Sequence, residues 1–174
     1  MIRLATAPDA SNLAALSIQV WLHTYAKGGL RSALSDYVLA EYTPEKIAER
    51  LGDEKQVFIV YEQNAHLVGY LRLLLNSPCP TDPSFRVEIA TLYVQEHFIG
   101  RGIGSELLNY ILKFCSKRGS NGVWLSVNHQ NGHAISFYEK QQFRRNGSIF
   151  FNLENEQHEN FVLCKPIVLA TLSI

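Results

Sequence analysis

The sequence predicts a mixed α/β fold with a mostly antiparallel central sheet and one parallel strand–helix–strand crossover. Three observations lead there. Some stretches carry apolar residues at helical spacing, and others are short β-branched and aromatic runs. The run 85–94 passes through a glycine turn into an amphipathic helix and then into the apolar run Val123-Trp124-Leu125-Ser126-Val127, a unit that sets two strands parallel. Elsewhere, successive strands are joined by tight turns or a polar loop, which makes them antiparallel hairpins.

The elements follow in order. Residues 2–5 read as a short strand. Pro8-Asp9 starts a helix that runs to about Tyr25, with Asp9 as the expected cap and Leu13, Leu16, Val20 and Trp21 on one face. Gly28-Gly29 ends it, and residues 30–42 carry a short, weakly signalled helix. Thr43-Pro44-Glu45 opens a helix with proline at its first position, which stops near Gly52. Strands are predicted at 57–61 and 67–75, with a turn at Gln63-Asn64. Pro78, Pro80 and Pro83 make 76–84 a loop.

The strand 85–94 changes parity. Val87 and Ile89 share one face, whereas Leu92 and Val94 share the opposite one. A period of two cannot bury both pairs, so one extra residue, a β-bulge, is expected at Ala90-Thr91. After the glycine turn, Ile103, Leu107, Leu108, Ile111, Leu112 and Cys115 form an apolar stripe, and Gly119 ends that helix. A helix over 131–140 and a closing hairpin of strands 143–152 and 159–167 complete the chain.

Length and composition set bounds. The 174 residues suit a single domain, 1–174, with one core. A net charge of zero argues against broad attraction to nucleic acid or an anionic membrane. Cys79, Cys115 and Cys164 are odd in number and have no metal-binding spacing, which suits buried thiols in a cytoplasmic protein. No run resembles a signal peptide or a membrane span, and no metal site is expected: His129 and His133 lie four apart with no H-E-x-x-H between them.

The glycine turn is the chemical centre. Glycine admits φ > 0, and a turn that opens a helix leaves N–H groups pointing outward, a cradle for an anion such as a phosphate. No lysine follows these glycines, so a P-loop is disfavoured. Ser105 replaces the third glycine of a dinucleotide fingerprint, and no acidic residue sits near Trp124, which disfavours that fold too.

Leu92-Tyr93-Val94 followed by Gly100-Arg101-Gly102-Ile103-Gly104-Ser105 resembles the acetyl-coenzyme A signature of the GNAT superfamily of N-acetyltransferases. The stretch from Asn128 through Asn131 and Ala134 to Phe137-Tyr138-Glu139-Lys140 resembles that family's second signature, in the same order. The resemblance implies a GNAT-like acyl-CoA N-acyltransferase fold whose sheet splits at the coenzyme site. It brings closest to mind the polyamine and small-amine branch.

The resemblance also implies roles. Leu92, Tyr93 and Val94 would pair with the pantetheine arm of acetyl-CoA, the co-substrate. Ile99, Gly100, Arg101, Gly102, Ile103, Gly104 and Ser105 would surround its pyrophosphate. Asn131 and Lys140 are placed with the coenzyme-binding residues, and Tyr138 would sit near the sulfur and protonate the departing thiolate. An attacking amine must lose a proton, and Glu88, a carboxylate in an otherwise apolar strand, is the expected base. Its alternatives are a solvent-facing carboxylate or a partner for Arg86 or Arg72. Trp21, His23, Tyr25, Tyr37 and Tyr42 could line an acceptor pocket.

Two departures from the family pattern stand out: Ile99 where glutamine or arginine is usual, and Gln142 where glycine is common, which implies either a mildly strained left-handed backbone or a locally different turn. The expected activity is acetyl transfer from acetyl-CoA to a primary amine of a small molecule or polyamine. The alternatives are a protein N-terminal acetyltransferase and a non-catalytic acyl-CoA-binding regulatory module. A homodimer is a family-level expectation, with the apolar tail 167–174 as a contributor or an edge strand.

Overall fold

The computed structural model describes residues 1–153 and 156–167. Its strands are β1 (Ile2–Leu4), β2 (Gln56–Gln63), β3 (His66–Leu75), β4 (Val87–Val94), β5 (Gly122–Asn128), β6 (Arg144–Leu153) and β7 (Glu156–Pro166). Its helices are α1 (Ala10–Tyr25), α2 (Ser32–Glu41), α3 (Pro44–Leu51), α4 (Ile103–Lys117) and α5 (Gly132–Lys140). The strand order is β1-β2-β3-β4-β5-β7-β6. β1–β2, β5–β7 and β6–β7 are antiparallel, and β4–β5 is the parallel pair predicted for the crossover. The tail beyond Ile167 lies outside the described residues.

The chain forms two compact units. The first comprises residues 1–73 and 91–108, and the second 74–90 and 109–174. β4 is divided between them at Ala90/Thr91, the position where the alternation changes parity. Val87 and Ile89 are buried with half-buried residues between them, whereas Thr91 to Val94 are all half-buried. In the second half Tyr93 packs against the core of the first unit.

The first unit packs α1 and α3 on β2 and β3. Leu13, Ala14 and Leu16 of α1 meet Ile47 of α3, Phe58 and Val60 of β2 and Tyr70 of β3. Each large aliphatic buried there contributes about 1.5–3 kcal/mol. Ser17 is buried on the same helix face and is satisfied: its hydroxyl donates to the Leu13 carbonyl at 2.6 Å and lies 2.6 Å from the Tyr70 hydroxyl. α3 starts as its sequence dictates, with Thr43 Oγ1 accepting the Lys46 N–H and Pro44 beginning the helix.

Asp9 differs from its expected role. It makes no side-chain cap for α1, because a short 3-10 turn (Ala7–Asp9) precedes the helix. Its carboxylate instead accepts from Arg3 Nη1 and Nη2, at 2.8 and 2.9 Å, and from the Thr6 N–H at 2.7 Å. This ties β1 to the entry of α1. The β2–β3 turn also lies one residue later than expected, at Asn64-Ala65, with φ of +50° and +62°.

The second unit has a small core of Cys79, Trp124, Val162 and Cys164, flanked by Phe85 and Ile149. The Cys79 and Cys164 sulfurs lie 3.9 Å apart as free thiols. β5 and β7 pair along seven residues, from Gly122–Pro166 to Asn128–Asn160. β6 shifts register on β7 between Arg145 and Gly147. No helix among the described residues is long and apolar enough to cross a membrane.

Candidate active site

In the first unit, the predicted coenzyme strand and loop form one continuous path. Past Val94, the Gln95 N–H donates to the Val68 carbonyl at 2.9 Å, holding the end of β4 to β3. A 3-10 turn (Glu96–Phe98) follows. Gly100 and Gly102 then take φ of +80° and +83°. The Gly102 carbonyl accepts the Glu106 N–H at 3.0 Å, the first hydrogen bond of α4. The first N–H groups of a helix have no acceptor within it, and the positive end of the helix dipole lies there.

A Cβ added at Gly100 or Gly102 would meet nothing within 4 Å. The φ angle, not crowding, demands glycine there. Ile103 and Leu107 are buried beneath the loop and anchor it. Arg101 is exposed, its guanidinium 4.9 Å from the Phe98 ring centroid, and Ile99 is exposed beside it. Gly104 and Ser105 are half-buried in the first turn of α4.

Gly69 on β3 was not singled out by sequence. A Cβ there would stand 3.0 Å from the Tyr93 carbonyl oxygen and 3.3 Å from Ile103 Cγ2. Its bare backbone lets β3 approach the coenzyme strand and the start of α4. A glycine inside a strand run is the signal that could have revealed it.

The aromatic residues proposed for an acceptor pocket cluster in this unit. Trp21 packs at a tilt against Tyr25 at 4.8 Å and against Tyr37 at 5.0 Å between centroids. The Tyr42 hydroxyl lies 3.5 Å from that of Tyr93, and Tyr93 packs edge-on to Tyr70 at 5.7 Å. Burial pushes the phenols of Tyr42, Tyr70 and Tyr93 above their ordinary range, so they stay neutral donors. His23 instead pairs with Glu96 at 3.3 Å on the surface.

In the second unit, Glu88 sits half-buried in β4, in register with Trp124 of β5. Its Oε2 accepts the Ser77 hydroxyl at 2.8 Å. Arg86, one of its expected alternative partners, donates to Asn76 Oδ1 through Nε at 3.1 Å.

Asn131 caps α5, its Oδ1 accepting the Ala134 N–H at 3.1 Å. Tyr138 is buried on that helix between Phe137 and Phe143, with centroids at 5.2 and 5.4 Å. Burial drives its phenol well above the ordinary range, so it is protonated at neutral pH. Lys140 is exposed on the last turn, where its charge suits the helix dipole.

Gln142 adopts the left-handed backbone expected of it, with φ +66°. The Phe143 N–H reaches the Tyr138 carbonyl at 3.0 Å and the Gln142 N–H reaches that of Glu139 at 2.8 Å. This is a Schellman closure with glutamine in the glycine position. Lys165 Nζ reinforces it by donating to the Gln141 carbonyl at 2.8 Å.

The first unit offers a glycine loop that opens α4; the second offers a carboxylate held by a hydroxyl and a buried phenol. A model of the acetyltransferase (GNAT) family matches residues 22–143. An uncharacterized N-acetyltransferase of Mycobacterium tuberculosis is 26% identical over 160 residues, which are 92% of this chain and 99% of that protein. The spermidine N(1)-acetyltransferase of Thermoplasma acidophilum is 23% identical over 147 residues, 82% of this chain and 87% of that protein. A crystal structure of PaiA N-acetyltransferase from Thermoplasma acidophilum, in complex with coenzyme A, is similar in fold. Its TM-score is 0.73 at 22% identity, covering 95% of this chain and 98% of that one.

Proposed function

This chain belongs to the GNAT family of acetyltransferases, and from that membership we propose that it moves acetyl from acetyl-CoA to a primary amine of a small molecule, with polyamines as the favoured acceptors. One observation carries the coenzyme half of this reading: Gly100 and Gly102 both adopt left-handed backbone immediately before α4. That conformation aims the first N–H groups of the helix at a pyrophosphate. Leu92 to Val94 supply strand backbone for the pantetheine arm, and the Asn131 side-chain amide supplies a further donor.

Acetyl-CoA supplies the activated acetyl group, and the residues of the chain handle protons. Glu88 accepts the proton of the attacking ammonium, directly or through water. Tyr138, a phenol neutral at pH 7 whose pKa burial raises further, donates a proton to the leaving sulfur. Both residues favour an enzyme over a non-catalytic binding module.

The polyamine reading is supported by the similarity to a spermidine acetyltransferase and by the rings of Trp21, Tyr25 and Tyr37, whose faces attract cations. The unbridged thiols of Cys79, Cys115 and Cys164 support a cytoplasmic setting. Phe150 and Phe151, exposed on the edge strand β6, support a homodimer.

A thiol-release assay with acetyl-CoA and a panel of polyamines, amino acids, aminoglycosides and peptide N-termini tests the reading. Spermidine or spermine is expected to turn over best. Turnover confined to peptide N-termini would replace the acceptor class. Acetyl-CoA binding with no thiol released by any amine would leave a binding module.

A further inference from the structure

We propose that Ser77 is a positioning residue for Glu88, fixing the carboxylate in the orientation that accepts the amine proton. The proposal rests on the reading of Glu88 as the base. Ser77 lies in the proline-rich connection between β3 and β4, far from either sequence signature. Its N–H donates to the Arg86 carbonyl at 2.8 Å, and Cys79 N–H donates to the Phe85 carbonyl at 2.8 Å, so the connection runs alongside the start of β4. Its own carbonyl accepts the Trp124 indole N–H at 2.8 Å. Trp124 is buried in the core of the second unit, packed with Cys79, Val162 and Cys164.

Both backbone polar groups of Ser77 are therefore held, one by Arg86, just before β4, and one by a core side chain of β5. What remains is the hydroxyl, whose single hydrogen goes to Glu88 Oε2 at 2.8 Å. A carboxylate on a half-buried strand would otherwise sample several rotamers. One fixed donor on Oε2 selects among them and leaves Oε1 as the acceptor.

Asn76 complements this arrangement. It takes the Arg86 guanidinium on its Oδ1, so two successive loop residues engage Arg86, just before β4, and Glu88, on β4, separately. Nothing local in the sequence marks Ser77, because its partner is eleven residues away and is met only through the loop register.

The test is steady-state thiol release with acetyl-CoA and spermidine, or the best amine of the panel, for Ser77→Ala, Ser77→Thr, Glu88→Gln and the Ser77→Ala/Glu88→Gln double variant. Ser77→Ala is expected to lower kcat about tenfold, the scale of one hydrogen bond to a charged group, with KM for acetyl-CoA unchanged. Ser77→Thr, which keeps the hydroxyl, is expected to restore most of the rate. In the Glu88→Gln background, Ser77→Ala should add no further loss, since it acts through the carboxylate.

A Glu88→Gln variant with unaltered kcat would overturn the base reading, and this inference with it. A crippled Glu88→Gln beside a fully active Ser77→Ala would overturn the inference alone. So would a further loss in the double variant, or a Ser77→Thr as slow as Ser77→Ala. Should Ser77→Ala fail to fold, Ser77→Cys, with a weaker donor at the same place, reads the same coupling: an intermediate rate supports the proposal and an unchanged one overturns it.

Discussion

Phe143 closes α5 on Tyr138 twice over, by its N–H on the Tyr138 carbonyl at 3.0 Å and by its ring at 5.4 Å from the Tyr138 ring. The residue between helix and strand, Gln142, holds φ +66° to make this possible. Left-handed backbone costs a non-glycine residue roughly 1–2 kcal/mol, part of which glycine gives back through its more flexible unfolded chain. Gln142→Gly is therefore expected to stabilise the protein by about 0.5–1 kcal/mol and to raise Tm by roughly 1–4 °C. Thermal unfolding checks it, and a drop in Tm would show that the glutamine side chain, with Lys165 3.3 Å from its oxygen, contributes more than the backbone loses.

Tyr138→Phe keeps the ring contacts with Phe137 and Phe143 and deletes only the hydroxyl. The expected result is a loss of about 10²-fold in kcat with KM for acetyl-CoA and Tm close to wild type. Equal kcat values for the two proteins would remove the acid from the mechanism.

The buried tyrosines and cysteines give the stability an alkaline edge. Burial raises the phenols of Tyr42, Tyr70, Tyr93 and Tyr138, and it lifts the Cys115 thiol to about 11. In the unfolded chain these groups ionise near their ordinary values, 10.0 for tyrosine and 9.0 for cysteine. Between the two sets of values the unfolded chain binds fewer protons than the folded one, so stability falls as pH rises. Urea unfolding is expected to give a flat free energy up to about pH 8 and a steady decline above about pH 9. A free energy independent of pH up to 11 would contradict it.

At the acid end the sign reverses. The Arg3 guanidinium, helped by the Thr6 N–H and hydroxyl against the effect of burial, holds the Asp9 carboxyl at about 2 instead of 3.8. Its contribution is fully present above 3.8 and is lost as pH falls toward 2. Asp9→Asn should lower stability by about 2 kcal/mol at neutral pH and flatten the decline between pH 4 and 2. A variant with the wild-type acid profile would mean that other carboxylates set it.

The legible parts of the molecule were those whose cause is local. The glycine turn and the Thr43-Pro44 start follow from residue types within a few positions of one another, and the left-handed Gln142 followed from the family resemblance. What escaped depends on distant partners. Ser77 reads only as a turn residue until β4 is laid beside it, and Asp9 reads as a helix cap until Arg3 arrives from β1. The β2–β3 turn shifted because Ala65 accepts a left-handed backbone that its side chain does not advertise. α2 was weakly signalled because only Leu34 and Val38 commit it to the interior.

The open space above Gly100 and Gly102 has a consequence for chirality. What the loop excludes is one hand of side chain, since the room for a methyl group is already there. An L-alanine at either position is expected to raise KM for acetyl-CoA about tenfold, through roughly 1–2 kcal/mol of backbone strain, while saturating coenzyme restores most of kcat. A D-alanine introduced by semisynthesis should leave KM near wild type, because its preferred backbone is the mirror image. Equal damage from both enantiomers would show that contact with the coenzyme, and not the handedness of the turn, keeps these positions bare.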